Sequence, residues 1–162
     1  MTKQEIYDFL NEKNISYEIT EHKAVFSMDE ISDVVLPYPE CDAKNLFVRD
    51  DKKREYFLIT VKGNKRVDLK EFRKMHGTRS LSFASSDDLM TFLKLTPGSV
   101  TPLGLLNDSG NKVKFFLDKD FLESPELIGV HPNENTATVW LKTSDLINLI
   151  KEHGNEVELT EL

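Results

Sequence analysis

Lys44-Asn45-Leu46-Phe47-Val48-Arg49-Asp50-Asp51-Lys52-Lys53-Arg54-Glu55-Tyr56-Phe57-Leu58-Ile59-Thr60-Val61 holds two apolar runs on either side of a charged turn. The runs Leu46-Phe47-Val48 and Tyr56-Phe57-Leu58-Ile59 are dense enough for strands buried on both faces. The stretch therefore predicts two central strands, Asn45 to Arg49 and Glu55 to Val61, joined through Asp50 to Arg54.

Toward the N-terminus, Thr2-Lys3-Gln4-Glu5 is a capping box that opens a helix to about Asn14, with Ile6, Phe9 and Leu10 on its buried stripe. Tyr17 and Ile19 with polar alternates read as a first strand. A second capping box, Ser27-Met28-Asp29-Glu30, starts a short helix that must stop before Pro37. Pro37 to Asp42 is then a loop delivering the chain to Lys44. Toward the C-terminus, Asp68 to His76 is a helix with Asp68 as N-cap, Glu71 at the third helical position and Gly77 just past its end. Ser86 to Leu93 is a further helix, and a loop from Pro97 to Pro102 follows. Strands are expected near Leu103 to Leu106, Val113 to Leu117, Glu126 to Val130, Thr136 to Leu141 and Val157. Between the last two lies a helix from Ser144 to His153, ending at Gly154, with Leu146, Ile147, Leu149 and Ile150 at helical spacing. The pattern is α+β with a mixed sheet.

A length of 162 residues with 39% hydrophobic content fits one domain over residues 1–162, and such a chain buries roughly 70% of its unfolded surface. Met1 to Glu5 lacks a basic, then apolar, leader pattern, and no stretch approaches the roughly 18 apolar residues of a membrane span. The expectation is a cytoplasmic protein without membrane contact. The single Cys41 can form neither an internal disulfide nor a cysteine-based zinc site, and its expected state is a packed or partly exposed free thiol.

The net charge of −7 argues against a polyanionic partner until its distribution is read. Between Lys44 and Arg79 there are 12 Lys and Arg against 5 Asp and Glu, leaving 9 against 23 elsewhere. A basic segment thus sits in an acidic body. Lys52, Lys53 and Arg54 decorate a turn, and Lys70, Arg73 and Lys74 line a helix face, where the plain reading is solvated surface and the sharper one is an RNA-docking surface.

Three short signatures carry the chemistry: Lys44-Asn45-Leu46-Phe47, Gly98-Ser99-Val100-Thr101-Pro102, and His131-Pro132 with Asn135-Thr136-Ala137-Thr138. Lys44 stands where a proline-bearing loop enters an apolar strand, so its stem can pack while its ammonium reaches a cavity at the sheet end. In the second signature, prolines restrict the flanks while Gly98 allows close approach of a ligand to backbone N–H groups. His131 follows the apolar Leu127 to Val130 at a strand terminus, where a polar side chain can face a cavity. An ammonium, a donor loop and an imidazole suit ester hydrolysis by positioning and electrostatics, without a covalent nucleophile.

In this order and with these neighbours, the signatures resemble the free-standing editing deacylases of the YbaK-like, prolyl-tRNA synthetase-associated domain family, over nearly the whole chain. The resemblance implies a curved, barrel-like mixed sheet with peripheral helices. It implies that Lys44 is needed for editing, that Asn45 and His131 orient substrate and water, and that Gly98 together with Ser99, Val100, Thr101 and Pro102 forms the loop against the aminoacyl ester. Arg49 and Arg79 match positions that face the tRNA in relatives. Asparagine after the lysine resembles the alanine-directed branch, whereas the cysteine-directed branch more often has threonine there. His22 also matches a family histidine, but Lys23-Ala24 replaces the usual proline-containing continuation, and His22 is read as structural.

Other chemistries fit less well. The histidines at 22, 76, 131 and 153 lack close ligand spacing, so no zinc centre is expected. No phosphate-binding glycine motif is present, and no cofactor is implied. The expected activity is hydrolysis in trans of mischarged aminoacyl-tRNA, with alanine on proline tRNA as the substrate, by a monomer that engages the acceptor end. Prolyl-tRNA synthetase is a further candidate partner. Cysteine editing on the same scaffold and a non-catalytic tRNA- or synthetase-binding module are the alternatives.

Overall fold

The computed structural model describes residues 1–24 and 35–162. The second capping box and the helix it predicts lie outside the described residues. Helix α1 spans Lys3–Glu12; Thr2 Oγ1 accepts from the Glu5 N–H at 3.1 Å and the Glu5 carboxylate accepts from the Thr2 N–H at 3.0 Å, closing the expected capping box. Strand β1 spans Tyr17–Glu21, β2 Ala43–Asp50, β3 Tyr56–Lys62, β4 Leu81–Phe83, β5 Val113–Asp118, β6 Leu127–Val130, β7 Ala137–Lys142 and β8 Val157–Thr160. Helix α2 covers Leu69–His76, α3 Ser86–Leu93 and α4 Thr143–His153. Asp68 caps α2 by accepting from Lys70 and Glu71, and Gly77 closes it at φ 65°, the left-handed C-terminal position that favours glycine.

The strands form two sheets, a three-stranded one in the order β1-β7-β6 and a five-stranded one in the order β4-β2-β3-β5-β8. The larger sheet is mixed, with β2 antiparallel to β3 and β4, while β3 to β5 and β5 to β8 run parallel. The expected single barrel-like sheet is therefore corrected to two sheets, neither closed. They meet at one parallel bridge, Asp42 to Gly129, before β2 runs on beside β3. A second correction concerns the apolar run Leu103 to Leu106, expected as a strand, which lies within a 3-10 helix, Pro102–Asn107. Pro102 presets φ and lacks a donor at the first helical position, while Thr101 caps the turn by accepting from the Leu103 N–H.

Strand β3 is buried along almost its whole length, as its apolar run demands. One core cluster packs α1, α3 and α4 through residues such as Ile6, Leu93 and Ile150 against Leu58, Phe115 and Leu117. A smaller cluster on the other face joins Val48, Ile59, Val61 and Phe116 to Phe72 of α2. The two clusters divide β2 by parity: Phe47 faces the first, Leu46 and Val48 the second. No described helix is long and apolar enough to cross a membrane.

Candidate active site

Residue parity at the Asp42–Gly129 bridge decides which side chains share a face. Two residues beyond each bridge partner stand Lys44 and His131, on one face of neighbouring parallel segments. The Lys44 ammonium donates to the Lys65 carbonyl at 3.4 Å, leaving further donors on the same nitrogen. Lys65 is itself held by Asp118, whose side chain is fully buried, and by Asp120. Asn45 falls on the opposite face of β2, where its Oδ1 accepts from the buried Thr60 hydroxyl at 2.7 Å.

His131 is oriented by the backbone. Its Nδ1 lies 3.0 Å from the Ala137 carbonyl, which can only accept, so that nitrogen carries the proton and Nε2 of the neutral ring presents a lone pair. Burial, with a smaller contribution from neighbouring His22, pulls its pKa below the ordinary imidazole value, against the opposing bond to Ala137. The neutral acceptor form is thereby favoured near pH 7. His22, read from sequence as structural, lies edge-on to His131 with ring centres 6.2 Å apart. Its Nδ1 donates to the Lys23 carbonyl at 2.8 Å, and its Nε2 pairs with the Thr138 hydroxyl at 3.0 Å. The sequence signal for His22 was its match to a family histidine; its proximity to His131 comes from pairing of β1 with β7, which continues through the His22 N–H to the Thr136 carbonyl.

The glycine-bearing loop reaches the same place. Pro97 and Gly98 form the centre of a turn closed by the Ser99 N–H on the Thr96 carbonyl, and Gly98 sits at φ 89°, as the third residue of a type II turn requires. The Thr101 hydroxyl, fully buried, donates to the His131 carbonyl at 2.7 Å and clamps the loop to the end of β6. Ser99 and Pro102 are buried, and Val100 packs on the larger core. The Ser99 N–H is consumed by the turn, whereas those of Gly98, Val100 and Thr101 have no partner among the described residues.

Asp42 is a neighbour that sequence reasoning missed. It is 8% exposed beside the bridge, and burial pushes its pKa up to about 6, despite a bond from the Ala43 N–H. Behind the site, Trp140 lies over Gly129, where a Cβ would collide with the indole ring, and its Nε1 donates to Thr20 at 2.9 Å. Cys41 is fully buried, and burial raises its thiol pKa. Arg49 and Arg79 lie at the other end of β2; Arg49 stands five positions after Lys44, about 16 Å along the strand. Arg49 donates to the Asp50 carbonyl at 2.9 Å, and Arg79 forms a two-pronged pair with Asp51, one arm at 3.1 Å.

The sequence model of the aminoacyl-tRNA editing domain matches residues 22–149. The chain is 38% identical over 160 residues to the prolyl-tRNA editing protein ProX of Acetoanaerobium sticklandii, covering 99% of this chain and 97% of that one. It is 36% identical over 145 residues to the prolyl-tRNA synthetase associated domain-containing protein 1 of Bos taurus, covering 88% and 84%. A solved structure described as a candidate trans-editing enzyme for prolyl-tRNA synthetase superposes with a TM-score of 0.74 at 17% identity, covering 99% and 95%, and supports the fold.

Proposed function

This chain belongs to the aminoacyl-tRNA editing domain family, and from that premise we propose that it is a trans-acting deacylase removing alanine from mischarged proline tRNA. The observation that carries the reading is the Thr101 hydroxyl on the His131 carbonyl, which joins the donor loop to the imidazole-bearing strand end. Water adds to the ester carbonyl carbon, aided by the neighbouring ribose hydroxyl. The carbonyl oxygen takes up negative charge, which the N–H groups of Gly98, Val100 and Thr101, without a partner among the described residues, stabilise. Collapse breaks the bond to the terminal ribose oxygen, which takes the proton, releasing alanine and a tRNA with a free hydroxyl. His131 Nε2 accepts from and orients the water, and Lys44 binds a phosphate or other electronegative group of the acceptor end. Asn45 acts from the opposite face, fixing β2 through Thr60.

Editing answers a physical need: a pocket built for proline cannot strongly exclude the smaller alanine, while a second, smaller pocket excludes proline sterically. Asparagine after Lys44 supports alanine over cysteine. The protein acts as a cytoplasmic monomer, with prolyl-tRNA synthetase as a partner. Purified protein incubated with alanyl-, cysteinyl- and prolyl-tRNA(Pro) tests the reading. Fast release of alanine alone is expected; preferred release of cysteine moves the substrate, and no release from any of them makes the chain a binding module.

A further inference from the structure

We propose that the groove between α2 and β4, together with Phe83, is a binding site for single-stranded RNA, with phosphates in the groove and a base stacked on the Phe83 ring. The groove, about 320 Å³, is lined by Leu69, Lys70, Arg73, Lys74, Ser80 and Leu81. Its three cations stand on the solvent side of α2, opposite the buried Phe72, and one carboxylate, Glu71, pairs weakly with Lys74 at 3.5 Å. Phe83 is 63% exposed on the edge strand of the larger sheet and is the one exposed aromatic ring among the described residues.

Register links these features to the candidate active site. Leu81 pairs with Asp50 and Phe83 with Val48, so both lie on the α2 face of the sheet, the face that also carries Lys44. Because β4 runs antiparallel to β2, moving from Leu81 to Phe83 moves toward Lys44, which lies four residues, about 13 Å, beyond Val48. Groove, ring and ammonium thus follow one another along a sheet face, as a strand needs whose end reaches Lys44. Arg73 offers phosphate a planar fork and the lysines offer point charges, while an aromatic face accepts any base. The choice of RNA as occupant rests on the deacylase reading.

Deacylated proline tRNA and a short single-stranded RNA with the same 3′ end serve as probes, so binding is measured without any ester to hydrolyse. Phe83→Leu should weaken both about tenfold and Phe83→Trp should restore them. Replacing Lys70, Arg73 and Lys74 together by Gln should lower the slope of log affinity against log salt by roughly 2. All four side chains are exposed, and circular dichroism checks that the variants fold. Wild-type affinity and slope in these variants overturn the proposal, even if alanine release is normal. Lost affinity for purified prolyl-tRNA synthetase with unchanged RNA affinity also overturns it, making the surface a protein dock. RNA binding that depends on Phe83 upholds it, even if no aminoacyl-tRNA is hydrolysed.

Discussion

Asp42 and Lys44 at one end of β2 and the Arg79–Asp51 pair just past the other handle charge in opposite ways. At its start, Asp42 is buried, Lys44 is half-buried with its ammonium on one carbonyl, and the neighbouring imidazole of His131 is kept neutral by burial. At its far end, Arg79 and Asp51 pair in the open, with side chains 53% and 45% exposed. At the first, burial weakens the screening of a charge, and at the second solvent and salt dilute one. On the proposed function, chemistry that depends on a single ammonium belongs at the first, and docking that sums several weak phosphate contacts belongs at the second.

The sharpest way to break this contrast is Lys44→Ala. With the ammonium gone and the stem outside the main core, kcat/KM for alanyl-tRNA(Pro) should fall roughly 1000-fold while the melting temperature holds. A folded variant with near-normal turnover removes Lys44 from the site. Gly98→Ala comes next. A side chain at φ 89° strains the turn and shifts the donor N–H groups, so alanine release should drop by about 100-fold with no gain on prolyl-tRNA. Turnover at the wild-type rate reduces the loop to a connector.

Asp42 sharpens the contrast through stability. Burial raises its pKa from 3.8 to about 6, so the folded state disfavours the ionised carboxylate. That penalty is absent below about pH 4, grows between pH 4 and 6, and is complete above 6. Asp42→Asn should therefore stabilise the protein by about 3 kcal/mol at pH 7 and by almost nothing at pH 3.5, read by urea unfolding across that range. A gain independent of pH sinks the account. The smallest effect is expected at the exposed end: Arg79→Ala should lower the salt slope of tRNA binding by less than 1, because Asp51 already holds the guanidinium. Asp51→Asn should do the reverse and strengthen binding. Superimposable salt curves for both variants make the cluster a solvated face.

Much of the architecture was legible because it is written in local rules. The Thr2 box, the Asp68 cap with Gly77 and the final helix closing at Gly154 depend on dihedrals and bonds within a few residues. Leu103 to Leu106 misled because a four-residue apolar run has no period of its own, and the proline and threonine before it set the turn. Strand β4 escaped notice since three residues carry little signal without the partner β2. Lys44, the Gly98 loop and His131 were proposed for the candidate site from their neighbours in sequence, whereas Asp42 and the His22 contact there, and the pairing of Arg79 with Asp51 at the far end of β2, carry no such local signal.

The sequence by itself determined where helices cap, where the chain turns, which runs are buried and where the basic segment lies, since each follows from short-range sterics, hydrogen bonding and composition. Only the tertiary structure decided which side chains share a face. The Asp42–Gly129 bridge sets Lys44 and His131 on one face and Asn45 on the other, and pairing of β1 with β7 brings His22 to a ring 109 positions away in sequence. Strand side chains alternate with a period of two, so a slip of one residue in register would exchange every one of these neighbours, and register is fixed by the packing of the whole core.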